Sequence, residues 1–504
     1  MRRNLVGWLA GTLLLGVATA DTPTQRRPLF VNHPILPSWL PLWDWERPHS
    51  FDGSHRVLEQ LTGIGGVGQC CVEGITHDGH LAHLCFAPGT PEWYVEYMSR
   101  LIFGEFMPAY NLGNRWTFTS YGSTGSRGTP IRLRWSLVPD GTQLPGPGNN
   151  TLPSNLFSSM DNKFGGNRGL WLAQFRNSFA RWQQVAGITY TEVSDDGASF
   201  PNAPGSATVP RGDVRIGARN LDGPSGILAF NYFPNVGDMV LDSSESWQNA
   251  FASYRFLRNT VMHEHGHGLG LGHVIPVNET KLMEPYLSLA FDGPQDDDIR
   301  GAHRLYGDPY EVNNTQAQAT PVELPEATVT LEWASLDRSA DVDWYRLEVP
   351  AFRRLTITAA PIGATYQVGP EGGTASTINT RAIQNLDMEL CNSTGTVIAT
   401  ANSNGIGQSE QIANFVPPPA GGTFFVRVFS GTGSADDVQR YRLTVQQVVL
   451  PTGDMDGNGC VNNADLLLVL FNFGTNNPAA DGNGDGVVNN ADLLLVLFNF
   501  GQGC

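Results

Sequence analysis

The 504-residue sequence predicts a multidomain protein: an α+β domain, then an all-β sandwich, then a small all-α module. Three observations predict it. A histidine-bearing helix sits in the first 307 residues, short alternating runs fill residues 308–450, and residues 451–504 contain a duplicated loop–helix unit. Composition agrees. Only 16% of residues are charged, with 57 glycines and 33 prolines, which suits β-rich modules with long loops better than helical bundles or disorder. At ~100–200 residues per domain, several modules are expected. The net charge of −17 concentrates towards the C-terminus, and phosphate contact needs a basic face, so a nucleic-acid partner is excluded.

Residues 1–20 read as a secretory signal. Arg2 and Arg3 precede an apolar run from Leu5 to Val17, and Ala18-Thr19-Ala20 suits cleavage before Asp21. A membrane span needs ~20 apolar residues, which this run lacks. The expectation is bacterial-type export, a secreted, extracellular or cell-surface location, and no transmembrane anchor in the mature chain. Export permits disulfides. Cys70, Cys71 and Cys85 cluster early, Cys391 stands alone, and Cys460 and Cys504 bracket the last module and are expected to pair. Residues 21–113 form an N-terminal segment in the place of a pro-region. One of its cysteines could supply a thiolate to a metal; a disulfide-tied accessory segment is the favoured reading. His77, His80 and His83 lack a matched fourth ligand and read as solvated surface.

The strongest local signal is His263-Glu264-His265-Gly266-His267-Gly268-Leu269-Gly270-Leu271-Gly272-His273. The stretch from Phe251 to Met262 can run as a helix, which puts His263 and His267 on one face, four residues apart. Gly270 permits a turn with φ > 0 that brings His273 round as a third ligand. Three imidazole nitrogens leave a fourth position for water, as at catalytic rather than structural zinc, and Glu264 stands beside the first ligand as a proton acceptor. One zinc is expected. His265 points off the ligand face and reads as a surface residue.

These residues resemble the matrixin branch of the metzincin metallopeptidases, over about Asn114 to Tyr306. Phe175-Arg176-Asn177-Ser178-Phe179-Ala180-Arg181-Trp182 is similar to that family's first helix, and Ile188 to Val193 to the strand after it. Leu282-Met283-Glu284-Pro285-Tyr286 resembles its Met-turn, which places Met283 beneath the metal and Pro285 and Tyr286 at a substrate pocket. Pro294 to Ile299 followed by Leu305-Tyr306-Gly307 resembles its closing helix. Asp222-Gly223-Pro224-Ser225-Gly226 with Asp242 and Glu245 resembles its calcium loop. Leu228-Ala229-Phe230-Asn231 falls where the family's edge strand pairs with extended substrate, so Ala229 is a substrate contact. The sequence departs from the family at Phe230 and Val240, where members with a structural zinc have His. A second zinc is therefore not expected in the domain at 114–307. The inhibitory cysteine motif of matrix metalloproteinases is also missing from residues 21–113.

Residues 308–450 contain no lysine and alternate in runs such as Trp344-Tyr345-Arg346-Leu347-Glu348-Val349, as in a β-sandwich. Asp308 to Thr315, Asp341 to Tyr345 and Gly421 to Val428 resemble a pre-peptidase C-terminal domain. No catalytic residue can be assigned there. In residues 451–504, Val461 to Gly474 recurs as Val488 to Gly501. Each copy follows a Gly-bent loop with oxygen side chains at alternate positions. They are Asp454, Asp456, Asn458, Asn462 and Asp465, then Asp481, Asn483, Asp485, Asn489 and Asp492, a pattern for two calcium ions. Helices are expected from Leu466 to Phe473 and in its repeat. The module resembles a type I dockerin, which implies a cohesin-like partner.

Together these readings imply a secreted zinc endopeptidase acting on protein or peptide substrates. The alternative is a non-catalytic extracellular scaffold or binding protein assembled through its last module.

Overall fold

The computed structural model describes residues 112–504 apart from 147–149, 203–205 and 372–373. It also gives the backbone of strands β1 (Cys71–Ile75), β2 (Leu81–Phe86) and β3 (Glu105–Phe106). The expected signal at 1–20 lies outside the described residues, as do the side chains of Cys70, Cys71, Cys85, His77, His80 and His83. Among the described residues no helix is long and apolar enough to cross a membrane.

The first domain is a twisted mixed sheet with helices packed on it. Its own strands are β4 (Ile131–Leu137), β5 (Ile188–Glu192), β6 (Val214–Arg219), β7 (Ile227–Tyr232) and β8 (Met239–Asp242). The sheet order is β3-β1-β2-β7-β8-β6-β4-β5. Strands β8, β6, β4 and β5 run parallel, while β7 is antiparallel to β8. Two helices cover the sheet after α1 (Leu156–Lys163): α2 (Arg168–Val185) and α3 (Arg255–Gly268). On α2 the buried stripe Trp171, Phe175, Phe179, Trp182, Val185 follows the helical period and faces α3. Fully burying side chains of this size stabilises by about 1.5–3 kcal/mol each. Phe179 stacks on Trp135 of β4 at 4.6 Å, and Trp182 Nε1 donates to Met262 O at 3.1 Å. Helix α3 is thereby buried from Phe256 to Gly268. It begins at Arg255 rather than Phe251, because Ala252, Ser253 and Tyr254 take positive φ and break the helix there.

The sandwich packs two sheets face to face. One has five strands: β10 (Thr320–Val322), β12 (Val342–Val349), β19 (Gly422–Ser430), β16 (Leu386–Asn392) and β17 (Val397–Ala401). The other has four: β11 (Thr328–Leu336), β20 (Gln439–Val449), β13 (Arg353–Pro361) and β18 (Glu410–Phe415). The alternation read from the sequence appears as burial on β12, where Tyr345, Leu347 and Val349 point inward.

This sandwich is not a loosely tethered spacer. The short strand β9 (Val274–Ile275) of the first domain pairs with β14 (Thr365–Pro370), which pairs in turn with β15 (Ser376–Asn379). Helix α4 (Asp296–Tyr306) lies against the sandwich as well. Asp296 accepts from Thr380 Oγ1 at 2.7 Å, Tyr366 OH at 3.2 Å and Arg440 Nη1 at 2.5 Å. The His303 imidazole bridges Ser335 Oγ at 2.8 Å and Val185 O at 2.5 Å.

In residues 451–504 the helices are α5 (Asn463–Phe471) and α6 (Asn490–Asn499), starting earlier than expected because Asn462 and Asn489 cap them. Val461, Val469, Val488 and Val496 form their shared core with Phe352 and Leu450 of the sandwich. Cys460 and Cys504 form a disulfide. Cys391 is a buried free thiol.

Candidate metal centre

Helix α3 ends in a turn that the sequence dictates. Gly270 has φ +97°, its N–H donates to His267 O at 2.8 Å, and Leu271 N–H donates to Gly266 O at 2.9 Å. This is the Schellman arrangement, which needs a left-handed residue after the helix end. A Cβ on Gly270 would also lie 2.3 Å from Asn114 O. The chain then reverses and delivers His273 to His263 and His267.

The three imidazoles converge. Their Nε2 atoms lie 3.0 to 3.2 Å apart, and all three rings are buried. Each Nδ1 faces a separate oxygen: Leu282 O at 2.7 Å, Leu271 O at 2.7 Å and Glu371 Oε2 at 2.9 Å. Those oxygens can only accept, so each Nδ1 carries the proton and each Nε2 presents its lone pair to a common point. Nitrogens ~2.0–2.1 Å from a tetrahedral ion would stand ~3.3 Å apart, so the spacing fits zinc. Burial, reinforced by His273, pushes the His263 pKa down to about 3, which keeps that ring neutral. Glu264 is buried beside this group.

The turn at Leu282-Met283-Glu284, expected as a Met-turn, is built by carboxylates. Asp298 of α4 accepts from Leu282 N at 2.7 Å and Met283 N at 3.0 Å, and Glu284 accepts from the backbone of residues 278–281. Met283 is buried, and a Cβ on Gly266 would come within 2.4 Å of its Sδ. That close approach gives Gly266 its reason. His265 corrects the sequence reading: it is buried, not at the surface. It packs 4.7 Å from the Phe179 ring and its Nε2 meets Tyr190 OH at 2.6 Å.

Asp222, Asp242 and Glu245 share one loop region but spend oxygens on backbone N–H groups. Asp222 accepts from Ile227 N at 2.8 Å, Asp242 from Ser244 N at 2.7 Å and Glu245 from Ser225 N at 2.6 Å. Burial raises the Glu245 pKa to about 7. Phe230 and Val240 are apolar cross-strand partners on β7 and β8. Ala229 lies on β7, whose outer edge is paired with β2 in the register Ala229↔Cys85, Phe230↔Leu84.

The last module repeats one geometry twice. Asp465 accepts from Met455 N, Asp456 N and Asn462 N at 2.7 to 3.0 Å. Asp492 likewise accepts from Gly482 N, Asn483 N and Asn489 N at 2.8 to 3.2 Å. Oxygens of Asp454, Asp456 and Asp465 lie within 4.8 Å of one another. Asn458, Asp481 and Asp485 complete the same turns through side-chain contacts to loop backbone.

Sequence reasoning missed a further group. Oxygens of Glu311, Asp341 and Asp343 lie within 4.8 Å of one another, with Asp308 and Asp337 beside them. Burial and mutual repulsion raise Asp308 to about 8, Glu311 to about 9 and Asp337 to about 7, and raise Asp343 as well. Asn313 is fully buried there with no hydrogen-bond partner for its side-chain amide. An all-oxygen group of this kind could hold a hard cation. The spacing Asp341-x-Asp343 after Asp308-x-x-Glu311 was the available signal.

Residues 167–307 match the matrixin family, Peptidase M10. Over that stretch the chain is matrixin-like. Residues 341–430 match the bacterial pre-peptidase C-terminal domain. The matrixin stretch is similar to interstitial collagenase of Bos taurus, at 32% identity over 31% of this chain and 32% of that protein. It is also similar to stromelysin-3 of Homo sapiens, at 32% identity over 32% of each. The chain thus spans about a third of the length of these relatives. Among solved structures, the pre-peptidase C-terminal domain of a Bacillus anthracis collagenase aligns at 18% identity. It covers 25% of this chain and 94% of its own, with a TM-score of 0.17.

Proposed function

We propose that the chain is a secreted, zinc-dependent endopeptidase of protein or peptide substrates. The observation that carries this reading is the convergence of three proton-free Nε2 atoms beside a buried Glu264. His263, His267 and His273 would hold one zinc, which when bound supplies a Lewis acid for the carbonyl and for water. Glu264 takes the proton of the attacking water and returns it to the leaving amine. The edge of β7 at Ala229 pairs the extended substrate, and Pro285 and Tyr286 wall the pocket beyond the scissile bond. Asp222, Asp242 and Glu245 bind calcium and brace that edge. Because β2 fills the same edge, it must leave before substrate can add there.

The last module we read as dockerin-like, with one calcium in each loop. Its helices expose matching apolar positions, Phe471 and Phe498 at 81% and 79% exposure, which suit docking of a cohesin-like protein. A purely scaffolding role is disfavoured by the intact metal ligands and Glu264.

Cleavage of casein or gelatin, with and without chelator and then with zinc restored, tests the reading. Activity should vanish on chelation and return with zinc. If neither the full chain nor a form cut between residues 86 and 112 cleaves any protein, the reading fails. For the last module, EDTA should lower its melting temperature and calcium should restore it. A transition indifferent to EDTA would refute the calcium loops.

A further inference from the structure

We propose that Glu371, from the sandwich, is a positioning residue for the metal centre, so that the second domain sets how tightly the first holds zinc. The inference rests on the zinc reading above and adds a residue from beyond the matrixin stretch.

Two contacts carry it. Glu371 Oε2 accepts from His273 Nδ1 at 2.9 Å, and Glu371 N–H donates to His273 O at 3.2 Å. The side chain and the backbone of one residue therefore clamp both ends of the third ligand. The clamp is built into the fold. Glu371 directly follows β14, whose Gly369 and Pro370 pair with Ile275 and Val274, the residues after His273. The contact is dry, with the His273 side chain fully buried and that of Glu371 only 10% exposed. Glu371 also lies close enough to Tyr286 to add to the effect of burial in raising that phenol's pKa.

The three ligands are not held alike. His263 and His267 give their Nδ1 protons to backbone carbonyls of the first domain, whereas His273 gives its proton to a carboxylate of the second. A carboxylate behind a ligating imidazole fixes the tautomer and makes the opposite nitrogen a stronger donor. His273 is also the ligand off the helix, on a loop that runs directly into β9 and its pairing to β14. The sandwich thus supplies both the position and the basicity of the least constrained ligand.

The test is zinc affinity of the full chain, measured by competition with a chelator of known affinity. Glu371→Ala should bind zinc about 10–100-fold more weakly. Glu371→Gln, which can still accept the hydrogen bond without the charge, should fall between that variant and the wild type. Tyr366→Phe removes a different contact across the same junction, to Asp296, and should leave affinity unchanged. Circular dichroism checks folding, and the near-isosteric Gln variant keeps the test decisive if the Ala variant fails to fold. Wild-type affinity within twofold in a folded Glu371 variant overturns the inference while leaving the zinc reading intact. Equal weakening by Tyr366→Phe also overturns it, since general domain docking would then suffice. A wild-type chain that does not bind zinc removes the zinc reading and the inference with it.

Discussion

The three histidines of the metal centre and the five carboxylates at the head of the sandwich are both like groups taken out of water, but they tolerate burial by opposite proton chemistry. An imidazole becomes neutral by losing a proton, and the freed nitrogen is then a ligand. A carboxylate becomes neutral by keeping one, and must give it up before it binds a cation well. The histidine group is preorganised: each Nδ1 has an acceptor and the three Nε2 atoms already share a focus. The carboxylate group is electrostatically unbalanced, with pKa values raised to about 7 to 9 at Asp337, Asp308 and Glu311. The first arrangement suits a reaction centre. The second gains stability only from protons or a cation.

The largest expected effect is at the first group. Glu264→Gln keeps the shape and removes the base, so peptide cleavage should fall by about 10²–10⁴-fold with zinc still bound. Zinc content and turnover measured on the same preparation check it. Loss of both together would mean that Glu264 builds the site rather than serving in the reaction.

The second group should show itself in pH dependence. Its carboxylates bind protons in the folded state at pH values where the unfolded chain has released them, so folding binds protons between about pH 4 and 9. Stability is therefore highest at the acid end of that window and is lost as pH rises through the folded pKa values of about 7 to 9. In chelator, the melting temperature of the sandwich should drop from pH 5 to pH 8. Millimolar calcium should restore it at pH 8 and do little at pH 5. Asp337→Asn removes a charge present at pH 8 above its pKa of about 7, so it should raise the chelated melting temperature there and blunt the calcium response. Equal calcium responses at both pH values would contradict the carboxylate account.

The same contrast explains what could be read from the sequence. The metal centre was legible because its helix, turn and three ligands fall within His263 to His273, where spacing alone fixes geometry. Residues 175–182 of α2 and the strand β5 after it were read through family resemblance, and both form. The acidic group was not read, because Asp308 and Glu311 lie in the loop after α4 and only the fold carries them beside Asp341 and Asp343 at the start of β12. Glu371 was invisible for the same reason, since only the β9–β14 pairing carries it to His273. His265 was misread because helix periodicity says which face a residue lies on, not that α2 and β5 cover that face as well.

A smaller effect is expected at Gly266. In most helix interiors Ala improves on Gly by up to ~1 kcal/mol. Here the new Cβ would meet buried Met283 Sδ at 2.4 Å, and overpacking of this kind costs about 1–3 kcal/mol. Gly266→Ala should therefore lower the melting temperature, with a parallel loss of zinc affinity if Met283 supports the ligands. A stabilised variant would show that the Met-turn has room to give.

The smallest expected effect lies where the two regions meet, at His303. Its ring joins Ser335 of the sandwich to Val185 of the first domain, and burial with the nearby Arg440 and Arg300 charges lowers its pKa to about 3. The unfolded imidazole, with a pKa of ~6.5, binds a proton that the folded one refuses. Its contribution to stability is thus present above about pH 6.5 and is lost as pH falls towards 3, the reverse of the acidic group. His303→Gln should reduce the acid-side loss in a melting series from pH 7 to pH 4 and leave the alkaline limb unchanged. A flattened alkaline limb instead would place the pH sensitivity of the junction in the carboxylates alone.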